Sequence, residues 1–105
     1  MKIHFSYHNS VNDSQKRILE GYADDKKLSS LTALLQHGNF DLADLNIRVE
    51  YLPHHNNFLL KANLKIAKRV LFAEETGYKL MELFDLVLGH LVAQIRKLES
   101  LRHDT

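Results

Sequence analysis

His54-His55 is the pair in this 105-residue chain that first suggests metal chemistry. Adjacent histidines in a strand or loop point apart, and no cysteine or carboxylate stands near them at ligand spacing, so a loop pair is expected. His4 and His8 share the outward face of one strand but lie four residues apart, too far to share an ion. Glu74-Glu75 could do acid–base work. A catalytic carboxylate needs a partner and a pocket, however, and nothing in the sequence points to either, so capping of the following helix and surface solvation are expected. The four glycines are scattered and cradle no phosphate. The absence of cysteine removes disulfides, thiolate metal sites and thiol nucleophiles. No catalytic residue, metal, cofactor or small-molecule substrate is expected.

A cationic constellation is more informative. Lys79, Glu82, Leu86, His90, Ala93 and Lys97 share one side of a final helix, away from its apolar stripe. Arg96, Lys97 and Arg102 crowd its last turns. Cations there complement the helix dipole; the functional alternative is contact with phosphates, which contributes salt-dependent affinity without base specificity. The whole chain argues for neither, because 14 Lys and Arg against 13 Asp and Glu leave a net charge of +1. Between Asn56 and Ala73, Lys61, Lys65, Lys68 and Arg69 stand without an acid, which reads as a solvated sheet face. Seven histidines would add positive charge below about pH 6.5.

These side chains need elements to hold them. Lys2 to His8 alternates, with Ile3, Phe5 and Tyr7 on one face, as a half-buried strand does. Asn12 or Asp13 is suited to open a helix from Ser14 to about Gln36, with Ile18, Leu19, Tyr22, Leu28, Leu31 and Leu35 apolar. Their spacing slips around Asp24-Asp25, predicting a kink, bulge or phase shift, and Gly38 is a natural left-handed cap. Leu45 to Tyr51, Phe58 to Ile66 and Val70 to Glu75 follow as strands, separated by Pro53-His54-His55-Asn56-Asn57 and by Ala67-Lys68-Arg69. The last helix spans Tyr78 to Arg102, burying Leu80, Phe84, Val87, Leu88, Leu91, Ile95 and Leu98.

The prediction is an α+β fold of order β-α-β-β-β-α, a four-stranded mixed sheet with two helices packed on one face. Strands one and two should be parallel if adjacent. Residues 1–105 suffice for one domain. A start at Met1-Lys2-Ile3-His4 lacks a signal-peptide run, and no stretch approaches 18 apolar residues, so no membrane contact and a cytoplasmic location are expected. Leu86 and Val92 lie off the helical stripe and Leu59 lies on the polar strand face. They are either extra core or a surface for a partner or a second copy.

With this order, the chain resembles the ribosome hibernation-promoting factor family, which includes the ribosome-associated translation inhibitors, once called sigma-factor modulation proteins. The resemblance covers nearly all residues, in the manner of the short form that lacks a C-terminal dimerisation domain. Family members open the last helix with Asp-Met-Tyr-Ala-Ala-Ile-Asp, followed by Asp-Lys-Leu, two residues, Gln-Leu and a basic tail. Here Lys79-Leu80-Met81-Glu82-Leu83-Phe84-Asp85 and Gly89-His90-Leu91-Val92-Ala93-Gln94-Ile95-Arg96-Lys97 correspond without a gap. Asp85, Leu91, Gln94 and Lys97 match outright, and Lys27-Leu28-Ser29-Ser30-Leu31 resembles the family's Lys-Leu-x-Lys-Leu. His90, Ala93 and Ser30 stand where the family has basic residues, and one extra residue falls between Tyr22 and Lys27.

The resemblance implies a stress-response factor that inhibits translation without catalysis. Such proteins sit on the small ribosomal subunit, occlude the channel for messenger and transfer RNA, and keep idle ribosomes inactive. Basic side chains on the helices contact ribosomal RNA phosphates, so recognition follows RNA shape. By position, Lys27, Gln94, Arg96 and Lys97 carry this role over, with His90 a pH-sensitive stand-in. Lys26 and Arg102 join them on charge and proximity. The alternative is a divergent, non-ribosomal member acting through protein contacts or as a homodimer, motivated by the near-neutral charge and by Leu59, Leu86 and Val92.

Overall fold

Asn12 begins the helical layer by accepting a hydrogen bond from the Gln15 N–H at 2.8 Å, while the Gln15 side chain reaches back to the Asn12 N–H. This reciprocal cap satisfies amides that the first helical turn leaves without partners. In the computed structural model, residues 1–9, 11–37, 42–67 and 69–103 are described, with side chains through 98. Gly38, the expected cap, lies outside the described residues. Seven elements follow in order: β1 (Lys2–His8), α1 (Asp13–Tyr22), α2 (Asp25–His37), β2 (Asp44–Leu52), β3 (Asn57–Ile66), β4 (Arg69–Gly77) and α3 (Leu80–His103).

The sheet runs β1-β2-β3-β4. β1 pairs parallel to β2, with Lys2 opposite Asp44 and His8 opposite Glu50. The remaining pairs are antiparallel, so the sheet is mixed, as the order of the elements and their connections predicted. The turn after β3 holds Ala67 at a φ of 49°, a left-handed conformation rare outside glycine and asparagine.

The expected helix from Ser14 to Gln36 is two helices, and the fold is β-α-α-β-β-β-α. Asp24 makes the break. Its side chain accepts from the Lys27 N–H at 2.9 Å and its carbonyl from the Leu28 N–H at 3.0 Å, so it starts a new helix instead of continuing the old one. Ala23 leaves α1 at φ −81°, ψ 52°. The break lets Leu19 on α1 and Leu28, Leu31 and Leu35 on α2 all reach the core, although no single helix would align them. Ile18, expected on the buried stripe, is instead 52% exposed.

One sheet face is buried. Leu45, Ile47 and Val49 of β2 and Leu60, Ala62, Leu64 and Ile66 of β3 point into a core completed by Leu83, Phe84, Val87, Leu91 and Ile95 of α3. α3 lies against β3 and β4, and α1 and α2 pack against α3. Ala62 and Ala73, directly opposite each other, are small enough to let the long helix approach. Gly77 serves the same purpose at the end of β4, where a Cβ would stand 3.0 Å from a Leu83 methyl. Val92 packs against the core edge, so it is extra core, whereas Leu86 remains half exposed. No described helix is long and apolar enough to cross a membrane.

Candidate nucleic-acid interface

The structure divides the basic residues singled out by the sequence. Lys26 and Lys27 stand in the first turn of α2, with Lys26 exposed. The Lys27 ammonium lies 4.5 Å from the centre of the Tyr22 ring and 3.4 Å from an Asp85 oxygen. The Tyr22 hydroxyl donates to the other Asp85 oxygen at 2.6 Å. α1, α2 and α3 therefore meet at one acid, Asp85, which neutralises Lys27 locally. Tyr22 first, and then Asp85, raise the Lys27 ammonium above its ordinary pKa, so it stays charged.

His90 and Gln94 face the sheet edge. His90 donates from Nε2 to Glu75 Oε1 at 2.9 Å, because a carboxylate can only accept. Gln94 donates from Nε2 to the Phe72 main-chain oxygen at 2.9 Å. Lying one turn apart on α3, they tie the helix to β4 at two points. Glu75 was expected to cap the next helix or to face solvent. It instead shares the helix-covered side of the sheet with Leu60, its opposite residue, which places it within reach of His90.

Arg96 and Lys97 are exposed. Successive residues on a helix diverge by about 100°, so Lys97 lies on the flank of His90 and Gln94 while Arg96 points more directly away from the core. Asp85, which holds Lys27, precedes Arg96 by 11 positions, about 16 Å along α3. The two ends of the helical layer therefore form two cationic points and not one cluster. The side chain of Arg102 lies outside the described residues. Among the described residues, Lys26, Arg96 and Lys97 make no ion pair, whereas Lys27 pairs with Asp85 and His90 is hydrogen-bonded to Glu75.

Tyr22, Asp85 and Glu75 are the partners that sequence reasoning did not assign. Asp85 carried a signal, since it matched the family pattern, but its contacts join helices far apart in the chain. Glu75 and His90 had no such signal, because their meeting depends on how α3 lies across β4. His54 and His55 are exposed in the turn after β2, and the described residues contain no group of three or more potential metal ligands.

No protein-family model matches the sequence, and no curated protein is significantly similar to it. Solved structures do share its fold. The Protein Y N-terminal domain from Thermus thermophilus aligns with a TM-score of 0.61 over 93% of this chain and 99% of its own, at 12% identity. A ribosomal subunit interface protein from Coxiella burnetii aligns with a TM-score of 0.57 over 92% of this chain and 98% of its own, at 15% identity. These structural neighbours are of the same kind as the family that the sequence resembles.

Proposed function

We propose that this chain, built on the fold of the Protein Y N-terminal domain, binds the small ribosomal subunit and blocks the channel for messenger and transfer RNA. The supporting observation is the agreement of fold, over 93% and 92% of this chain, with the Protein Y N-terminal domain and with a ribosomal subunit interface protein. The exposed cations Lys26, Arg96 and Lys97, with Arg102, are the groups offered to ribosomal RNA phosphates. Lys27, His90 and Gln94 act one step back by fixing the helices that present them. The role is steric, requires no catalysis, and places the protein in the cytoplasm.

Co-sedimentation with small subunits in sucrose gradients at two salt concentrations tests this reading. Phosphate contacts release counterions, so binding should weaken steeply as salt rises. Reversal of Arg96 and Lys97 to Glu should abolish it while the domain stays folded. A second reading, self-association or binding to another protein, draws on Ile18 and Leu86, which are 52% and 50% exposed on the helices. A concentration-dependent dimer with no co-sedimentation would favour it.

A further inference from the structure

The sheet face opposite the helices has an ordered chemical pattern. Residues directly opposite each other in neighbouring strands share a face, so the strand register lays out rows across the sheet. The central row reads His4, Asn46, Asn63 and Phe72, one residue from each strand. On one side lies the row Lys2, Asp44, Lys65 and Val70, and on the other Ser6, Arg48, Lys61 and Glu74. Phe72 is 47% exposed and Val70 61%, side by side on the edge strand. Asn46, Asn63 and His4 are exposed beside them.

Each asparagine amide offers two donors and an acceptor, the complement of a nucleobase edge. A phenyl ring on a solvent-facing strand is a platform on which any base can stack. Lys61 and Lys65 flank Asn63 at two residues on either side, about 7 Å away along β3. Each carboxylate on this face has a cation beside it or directly opposite it in the register. Glu50 is held by Arg48 through bonds of 2.8 and 3.1 Å, while Asp44 lies opposite Lys65 and Glu74 opposite Lys61. The lysines therefore orient phosphates with little net attraction, and stacking with base-edge bonding supplies the affinity. The apolar area, from Phe72 and Val70 with the partly buried Leu59 and Leu52 on the same face, falls short of the roughly 800 Å² per partner of a stable protein interface.

We infer that this face binds single-stranded RNA. An unstacked base lies on Phe72, Asn63 and Asn46 bond its edge, and Lys61 and Lys65 meet the flanking phosphates. This goes beyond the helix-side reading, because it concerns the opposite layer and a different source of affinity.

The test titrates the labelled full chain with a short unstructured RNA, followed by NMR at about 50 and about 200 mM salt. Shifts at His4, Asn46, Asn63 and Phe72 are expected, with an affinity that falls several-fold but less than about tenfold between the two salts, as two phosphate contacts require. Phe72→Ala should weaken binding about tenfold, and Asn63→Ala by less. Both replace exposed side chains, and unchanged circular dichroism verifies their folding. Reversal of Arg96 and Lys97 to Glu should leave this binding intact. The proposal is overturned if the shifts are confined to α2 and α3, if Phe72→Ala binds RNA as the unaltered chain does, or if Phe72→Ala merely breaks a dimer. Oligonucleotide binding without ribosome co-sedimentation would support this site while removing the helix-side reading, and the reverse result would do the opposite.

Discussion

Gln94 on α3 takes up the main-chain oxygen of Phe72, a residue within the strand that ends the sheet. An edge strand offers unpaired main-chain groups to any passing strand. Here a helix side chain occupies one of them and pins the helix in the same act. Gln94→Leu should lose one hydrogen bond, about 1 kcal/mol, and leave the edge carbonyl open. Urea denaturation measures the first effect, and sedimentation velocity the second, as increased association at high concentration. Unchanged stability and association would mean that the contact has no structural weight.

The Tyr22–Asp85–Lys27 junction predicts a division of labour among the lysines. Asp85→Ala should destabilise the domain by about 1 kcal/mol, because the Tyr22 hydroxyl loses its charged acceptor. Lys27→Ala should cost less, as exposed pairs do, and should change ribosome co-sedimentation less than reversal of Arg96 and Lys97. Equal losses of co-sedimentation would place Lys27 in the interface itself.

Tyr7 has a pH signature. Its hydroxyl is buried without a hydrogen-bond partner among the described residues, and Lys16 lies 5.2 Å from the ring centre. Burial first, and then the nearby Glu20 carboxylate, hold the phenol protonated well above the ordinary tyrosine range. Because the folded state binds this proton more tightly, the associated stability is complete below about pH 10 and declines as pH rises further, by up to about 1.4 kcal/mol per unit. Tyr7→Phe should flatten that decline. It should change stability near neutrality by no more than about 1 kcal/mol, since the hydroxyl has no partner within hydrogen-bond distance but lies beside the Glu20 carboxylate. Denaturation midpoints across alkaline pH test both points.

Gly89 lies exposed inside α3 with nothing near the position of a Cβ. Gly89→Ala should therefore stabilise the helix by up to about 1 kcal/mol, raising Tm by about 4–8 °C. A lowered Tm would mean that the helix bends at this residue in solution.

The strands were legible because Leu45, Ile47 and Val49 alternate with Asn46, Arg48 and Glu50, and only one face can be buried. The order of elements followed from that alternation and from the stripe of α3. The slip near Asp24 was visible, but its resolution into two helices was not. Apolar spacing reports a change of phase without saying whether the chain bends or restarts, and that choice was made by the Asp24 carboxylate as a cap. At the candidate site, exposure of Arg96 and Lys97 was readable from their distance to the stripe. The attachment of Lys27, His90 and Gln94 to Asp85, Glu75 and Phe72 was not. Those contacts depend on the angle and height at which α3 crosses its neighbours, which residue spacing within one element does not set.

The parallel pairing of β1 with β2 has a consequence for how the chain acquires its shape. β2, β3 and β4 are joined by tight turns, so each can find its neighbour as soon as both exist. β1 is made first, yet its partner lies beyond both α1 and α2. Closing that long segment costs chain entropy before any ladder bond compensates, which slows this step relative to the hairpins. Until Asp44–Leu52 has left the site of synthesis, Ile3, Phe5 and Tyr7 have no strand to lie beside. The first of the four strands to be translated should thus be seated after the hairpins, and destabilising substitutions in β1 should leave the early formation of the β2–β3–β4 sheet unchanged in stopped-flow refolding.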